Sequence, residues 1–332
     1  MNVKALIRRV NHTLKLHKLF PEHSRILVAC SGGPDSMALL HLLQDIATHR
    51  HTKYKLGIAI VDHSIRPESK DEVLWLRNQV DTLGLSFYTT TFDVPSLSKD
   101  LKLSEETVGR QVRYQWLNEI ARSEGYDYIA VAHHKDDQAE SILAHFIRGA
   151  GLNGLTGMDV VSYGYDVPVI RPLLDVPKVE LLAYLADREL TYCIDSTNDD
   201  IRYQRNRIRH RIIPELEVIN PNVVDAIARL GSTVREDLAV ISDLTAQAFE
   251  RLVTIDKDEM SLSRKALRKE PLAIQRRLWQ RLVSSIDSDI TLTTAHQEQL
   301  LDIVNTGEAK TFTIKSIKVT AQCDTIKVYC KH

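Results

Sequence analysis

The sequence predicts an α/β protein: a parallel sheet flanked by helices, followed by a smaller α+β region. Three observations predict it. Short apolar runs alternate with helical stretches from residue 26 to 148, the pattern of successive strand–helix units. The first run, 26–30, breaks at Ser31-Gly32-Gly33-Pro34-Asp35-Ser36 and resumes as a helix, with Met37, Leu39, Leu40, Leu43 and Ile46 near helical spacing. Past residue 215 the alternation ends. Helical patterns follow, and the tail turns to period two at Phe312, Ile314, Ile317, Val319, Ile326 and Val328.

Taken in order, residues 2–18 form a basic amphipathic helix with Val3, Leu6, Ile7, Val10 and Leu14 on one side. Strand one is 26–30. Strand two runs 56–61 and ends in Asp62-His63. Pro67 and Glu68 open a helix carrying Val73, Leu74, Leu76 and Val80. Strand three is 85–91. A polar stretch, 93–104, leads to a helix over 105–123. Strand four, 128–132, is followed by His133-His134 and a helix over 136–148. Four glycines, Gly149, Gly151, Gly154 and Gly157, make a loop beside the crevice, or a helix C-cap followed by turns. A helix over 176–189 precedes Asp195-Ser196-Thr197-Asn198. Helices over 222–253 and 271–285 and a small sheet or hairpin complete the chain. The boundary is expected between Pro214 and Pro221, giving domains 1–215 and 216–332.

Composition narrows the classes. With 332 residues and 43% apolar content, the chain can bury a sizeable core. The net charge of −1 means that any nucleic-acid surface is a local patch. Cys30, Cys193, Cys323 and Cys330 form no CxxC, which argues against a zinc knuckle or iron–sulfur site and suits a reducing compartment. No secretory leader and no apolar run of membrane-spanning length are read, so no membrane association and a cytoplasmic location are expected.

A glycine turn that opens a helix is an anion site: free N–H groups and the helix dipole point at the ligand, and glycine lets it approach the backbone. Ser31 and Ser36 add hydroxyls. The loop has no lysine before its last hydroxyl, so it is not GxxxxGK[ST], and its glycines do not fit GxGxxG. Strand ends also bring Asp62-His63 and His133-His134 to the same crevice. Asp35 beside phosphates calls for a cation such as Mg²⁺, unless it caps the helix. Asp136, Asp137 and Glu140 share a face; they hold Mg²⁺ or a substrate ammonium, or form a capping box. His133 and His134 are metal ligands or general bases, unless one is a satisfied crevice residue. Glu106, Arg110 and Arg113 share another face, as an ion-pair ladder or with an arginine reaching phosphate. Arg202, Arg205, Arg207, Arg209 and Arg211 fall within ten residues without an acid among them, which suits RNA backbone contact over a merely solvated face.

Several stretches agree on one family. SGGPDS resembles the loop of N-type ATP pyrophosphatases. With it, VDHSIRPES at 61–69, ETVGRQVRY at 106–114, AHHKDDQAESIL at 132–143, RGAGLNGLTGM at 148–158, DSTND at 195–199 and RNRIRH at 205–210 resemble the tRNA(Ile)-lysidine synthases. Gly109 replaces an expected alanine, with no evident consequence. The resemblance covers about residues 25–215. It implies a Rossmann-like PP-loop ATPase domain at 1–215 and a tRNA-binding domain at 216–332. It implies a ligase that joins L-lysine to C2 of the wobble cytidine of tRNA(Ile) with a CAU anticodon, consuming ATP. Ser31, Gly32, Gly33, Pro34, Asp35 and Ser36 would cradle phosphates, and Asp35 and Asp136 would position Mg²⁺. Asp137 and Glu140 would hold the lysine ammonium. Arg113 would stabilise phosphate charge, and His133 or a carboxylate would take a proton. Arg202, Arg205, Arg207 and Arg209 would meet RNA near the anticodon. A second patch, Arg264, Lys265, Arg268, Lys269, Arg276, Arg277 and Arg281, would follow a stem. A homodimer is compatible. A tRNA thiolase of this superfamily would show paired cysteines, and a non-catalytic RNA-binding module would not need the acidic cluster.

Overall fold

The computed structural model describes residues 3–50, 54–64, 69–193, 204–257, 259–306 and 308–331. It divides into two compact units, Met1–Ser232 and Thr233–His332. The first contains, in order, α1 (Val3–Leu16), β1 (Arg25–Ala29), α2 (Pro34–Arg50), β2 (Lys55–Asp62), α3 (Ser69–Thr82), β3 (Ser86–Thr91), α4 (Val94–Leu101), α5 (Glu105–Ser123) and β4 (Tyr128–Ala130). It continues with α6 (Lys135–Ile147), α7 (Leu152–Leu155), β5 (Val161–Ser162), β6 (Val169–Ile170), α8 (Lys178–Asp187) and α9 (Gln204–Arg207). A π-helical turn at Ile208–Ile212, α10 (Ile213–Ile219) and the start of α11 (Val223–Leu252) follow.

The six strands lie in the order β3-β2-β1-β4-β6-β5, all parallel but for the edge strand β5. The chain winds outward from β1 in both directions, so the crevice at the end of β1 lies at a switch in strand order, where such sheets bind ligands. β1 is hydrophobic on both faces because both are covered. Ile26 and Val28 pack with Leu6, Leu39, Leu43 and Leu181 on one side; Leu27 packs with Tyr114, Leu117 and Ala121 on the other. Each such buried leucine contributes about 2 kcal/mol of transfer free energy. β1 is therefore a fixed platform for the loop that follows.

Two expectations change. The stretch 93–104 carries a helix, α4: Asp93 caps it by accepting from Ser96 N at 3.1 Å, and Pro95 sits in its first turn. The units divide inside α11 and not at residue 215. The intervening chain belongs to the first unit. Ile213, Val224 and Ile227 cluster with Ala139 and Leu143, and Asp225 pairs with Lys135 at 2.7 Å.

The second unit holds β7 (Val253–Asp256), β8 (Glu259–Ser263), α12 (Arg264–Arg268), α13 (Leu272–Ser284), α14 (Thr294–Thr306), β9 (Lys310–Ile314), β10 (Ile317–Gln322) and β11 (Thr325–Cys330). Its sheet is antiparallel, in the order β7-β8-β11-β10-β9, and Trp279, Leu278, Leu282, Ile326 and Val328 fill its core. Part of the expected basic patch is used internally. Arg264 is buried and donates to the Glu308 carbonyl, Arg268 donates to the carbonyls of Val304 and Asn305, and Arg281 stands over Phe249 at 4.6 Å. No helix of the described residues is long and apolar enough to cross a membrane.

Candidate functional site

The turn between β1 and α2 is tied together by one hydroxyl. Ser36 Oγ accepts from Ser31 N at 3.2 Å and donates to the Gly33 carbonyl at 2.9 Å. Ser36 is buried, so it shapes the loop, while Ser31 is exposed at its rim. Gly32 has φ +77°, a conformation that L side chains rarely adopt, and its carbonyl accepts from Cys193 N at 2.9 Å. Gly33 has no such constraint: a Cβ there would meet only Ser31 Oγ, at 3.4 Å.

The loop opens onto a cavity of about 440 Å³. Its wall includes Ser31, Gly33, Pro34, Asp35 and Ser36 from the loop, Asp62 and His63 from the end of β2, and Arg113 and Tyr114 from α5. His133, Asp137, Lys178 and Arg209 add to its polar lining, with Ser69, Glu72 and Cys193. A volume of this size suits a small-molecule site. Stretches far apart in the sequence thus reach one crevice, and the phosphate loop, Asp62-His63 and His133 do so because they follow strand ends.

Behind the wall lies His134, 1% exposed. Its Nε2 stands 3.5 Å from both Asp35 Oδ2 and Asp137 Oδ2, and its Nδ1 is 3.4 Å from Asp136 Oδ2. Burial opposes its charge, but the three carboxylates outweigh burial and push its pKa up to about 9. The imidazolium joins the phosphate loop to the start of α6. His133 next to it behaves oppositely. Burial, opposed by the Asp137 charge and joined by those of Arg171, Arg205 and Arg113, lowers its pKa to about 3, so it is neutral and a weak base.

The acids and arginines expected to serve different ligands hold each other. Arg205 donates from Nε to Glu140 Oε2 at 2.8 Å and from Nη2 to Asp137 Oδ1 at 2.7 Å. Arg209 donates from Nε to Glu140 Oε1 at 2.6 Å and from Nη2 to Asp137 Oδ1 at 3.1 Å. Asp137 also accepts from His134 N at 3.0 Å, capping α6. Despite its burial, His134 and Arg205 hold the Asp137 carboxyl down to about 2. Glu140, expected to touch lysine, is 1% exposed and absent from the cavity wall; it anchors the two guanidiniums from behind. Arg205 and Arg209, expected at RNA, are committed to these acids. Arg207 is exposed, and Arg202 lies outside the described residues, as do DSTND and Pro67-Glu68.

Asp35 and Asp136, expected to position Mg²⁺, each contact His134 through Oδ2, at Nε2 and Nδ1 respectively. Asp136 Oδ2 is further engaged by Lys178 N at 2.8 Å. Among the described residues no group of three or more His, Cys, Asp or Glu forms a metal site. Asp35 Oδ1, however, is buried without a hydrogen-bond partner. That atom fits a Mg²⁺ held by one carboxylate and completed by phosphate oxygens. Sequence reading set His134 in the crevice as a ligand or base, where the structure makes it the hub of three carboxylates, and it missed Lys178 as a member of the wall. The signal for His134 was its place directly after a strand end and before Asp136 and Asp137.

A glycine loop after the first strand of a parallel sheet, opening on a polar cavity, defines the class: the chain matches the PP-loop domain over residues 4–216. It is 33% identical to the tRNA(Ile)-lysidine synthase of Geobacter sulfurreducens over 87% of this chain and 60% of that protein. It is 31% identical to that of Nostoc sp. over 84% of this chain and 83% of that protein. The chain belongs to the tRNA(Ile)-lysidine synthase family. It spans 56% of the relative from Porphyromonas gingivalis, so it is well short of several relatives' length. Among solved structures, a U34-tRNA thiolase from Methanococcus maripaludis is 22% identical with a TM-score of 0.60, over 70% of this chain and 78% of that one, a likeness of fold.

Proposed function

We propose that the chain is an ATP-dependent ligase that joins L-lysine to C2 of the wobble cytidine of tRNA(Ile) bearing a CAU anticodon. The observation that carries this reading is the meeting of the phosphate loop, Arg113, His133 and Asp137 in one cavity. Membership of the family supports tRNA(Ile) as the substrate. The C2 oxygen of cytidine attacks the α-phosphate of ATP, and pyrophosphate leaves. The ε-amine of lysine then attacks C2, and AMP leaves.

The chain's own groups suit these steps. Backbone N–H groups of the loop and Ser31 cradle phosphate oxygens. Arg113, half-buried beside Tyr114, offers a positive charge to the phosphate being attacked. A Mg²⁺ held at Asp35 would neutralise phosphate charge beside the loop carboxylate. Asp137 and Arg209 face the cavity together and suit the ammonium and carboxylate of an amino acid, with Glu140 keeping Arg209 in place. His133, held near 3, and Asp137, held near 2, are both too weak as bases to keep the proton released by the amine, so it passes to solvent. Arg207 remains for RNA, as does the basic surface of residues 216–332. A single-stranded anticodon loop can present its base to the crevice without duplex opening.

Incubation with bulk bacterial tRNA, ATP and labelled lysine, followed by nucleoside analysis, tests the reading. Labelled lysidine with equimolar AMP and pyrophosphate is expected. Pyrophosphate release without lysine incorporation would overturn it.

A further inference from the structure

Three Lys or Arg side chains line the cavity among the described residues: Arg113, Lys178 and Arg209. Arg209 is committed to Glu140 and Asp137, and Arg113 packs against the Tyr114 ring, with its Cζ 5.5 Å from the centroid. Lys178 is a cavity cation whose partner belongs to the phosphate loop itself. Its backbone is fixed, since its N–H donates to Asp136 Oδ2 at 2.8 Å at the start of α8. Its side chain is 34% exposed and reaches Asp35 Oδ2 only at 3.5 Å.

That oxygen has a second partner. His134 Nε2 lies at the same distance from Asp35 Oδ2 and is buried. If Lys178 moves away, Asp35 Oδ2 keeps its contact with His134 Nε2, so its release does not leave that oxygen without a partner. A lysine ammonium is a compact charge on a flexible stem and can swing between neighbouring acceptors. The loop otherwise offers phosphate only N–H dipoles and Ser31.

We propose that Lys178 is a phosphate-binding residue whose ε-ammonium is held by Asp35 in the nucleotide-free protein and passes to the polyphosphate chain of a bound nucleotide. The inference rests on the reading of this cavity as an ATP site. Its ligand chemistry is an oligophosphate, and Asp35 is left free to face a cation.

Calorimetric titration of the full chain with ATP and with inorganic pyrophosphate tests it. Lys178→Gln should weaken both by about tenfold or more, as loss of a charge-assisted contact predicts, while Lys178→Arg should retain both within about threefold. Melting temperatures should match the wild type, because the lost pair is weak and partly exposed. If Lys178→Gln binds pyrophosphate as tightly as the wild type, or if Lys178→Arg loses as much as Lys178→Gln, the assignment falls. Wild-type protein that binds neither ATP nor pyrophosphate would instead overturn the reading of the cavity itself.

Discussion

Arg209 grips Glu140 with two arms, Nε to Oε1 at 2.6 Å and Nη2 to Oε2 at 3.0 Å. With Glu140 1% exposed, truncating Arg209 leaves a buried carboxylate with Arg205 as its remaining guanidinium. Arg209→Ala should therefore cost about 2–4 kcal/mol, read as a melting point several degrees lower. Arg207→Ala, at an exposed site, should change stability by no more than about 0.5 kcal/mol. If Arg207 meets tRNA phosphate, its removal should lower the slope of log affinity against log salt by about one. Equal melting of Arg209→Ala and wild type would sink the structural role.

The two loop glycines should separate folding from binding. Gly33→Val places its side chain in space that a phosphate would use, at a backbone angle open to L residues, so a folded protein without ATP binding is expected. Gly32→Ala forces a Cβ onto φ +77° and should lower stability by about 1 kcal/mol. Thermal melts paired with ATP titrations decide. Undiminished ATP affinity in Gly33→Val would rule out phosphate approach there.

His63 gives a pH signature. Burial, aided by the Arg113 charge, lowers its pKa to about 4, below the ordinary value near 6.5. The unfolded chain then binds the proton more readily than the folded one. Stability linked to His63 is full above about pH 6.5 and is lost as pH falls toward 4. Melting temperatures measured from pH 7 to pH 4 should fall less steeply in His63→Gln than in wild type. Parallel curves would show that His63 does not carry this linkage.

Truncation should respect the compact unit. A fragment ending at Ser232 keeps the Lys135–Asp225 pair and the cluster of Ala139, Ile213, Val224 and Ile227. A fragment ending at residue 215 loses Asp225, Val224 and Ile227. The longer fragment should melt higher and bind ATP; tRNA binding should fall in both if residues 216–332 grip tRNA. Identical melting of the two fragments would refute this account of the boundary.

Local features were legible in the sequence. The strand, glycine turn and helix around Ser31–Ser36 announce themselves because the turn chemistry lies within six residues. The helix from Glu105 to Ser123 was equally plain, since Ser104 caps it by accepting from Thr107 N. α4 was hidden by its polar composition, although Asp93, Pro95 and the spacing of Val94, Leu97 and Leu101 carried the signal. The pairing of Arg205 and Arg209 with Asp137 and Glu140 joins residues 65 to 72 positions apart. Spacing put the acids on one face and gave the arginines one sign, but not that the two would meet. Two charged helical faces of opposite sign in one compact unit were the clue that they neutralise each other. His134 posed the same difficulty, because its three carboxylates come from two separate stretches.

The π-helical turn at Ile208–Ile212 closes with Ile213 N–H donating to the Ile208 carbonyl, five residues back. Such a turn accommodates one more residue than an α-helix would. Each residue in a helix advances the next by about 100°. An extra residue in an ordinary helix would turn everything after it by that angle; the wide turn absorbs it locally and leaves Ile213 against Ala139 and Ile208. Deleting one of the five would let the segment relax to ordinary helix with Ile213 in place, and the change would fall on the side chains inside the turn, Arg209 among them. A single-codon deletion there disturbs the grip on Glu140 before it disturbs the packing beyond.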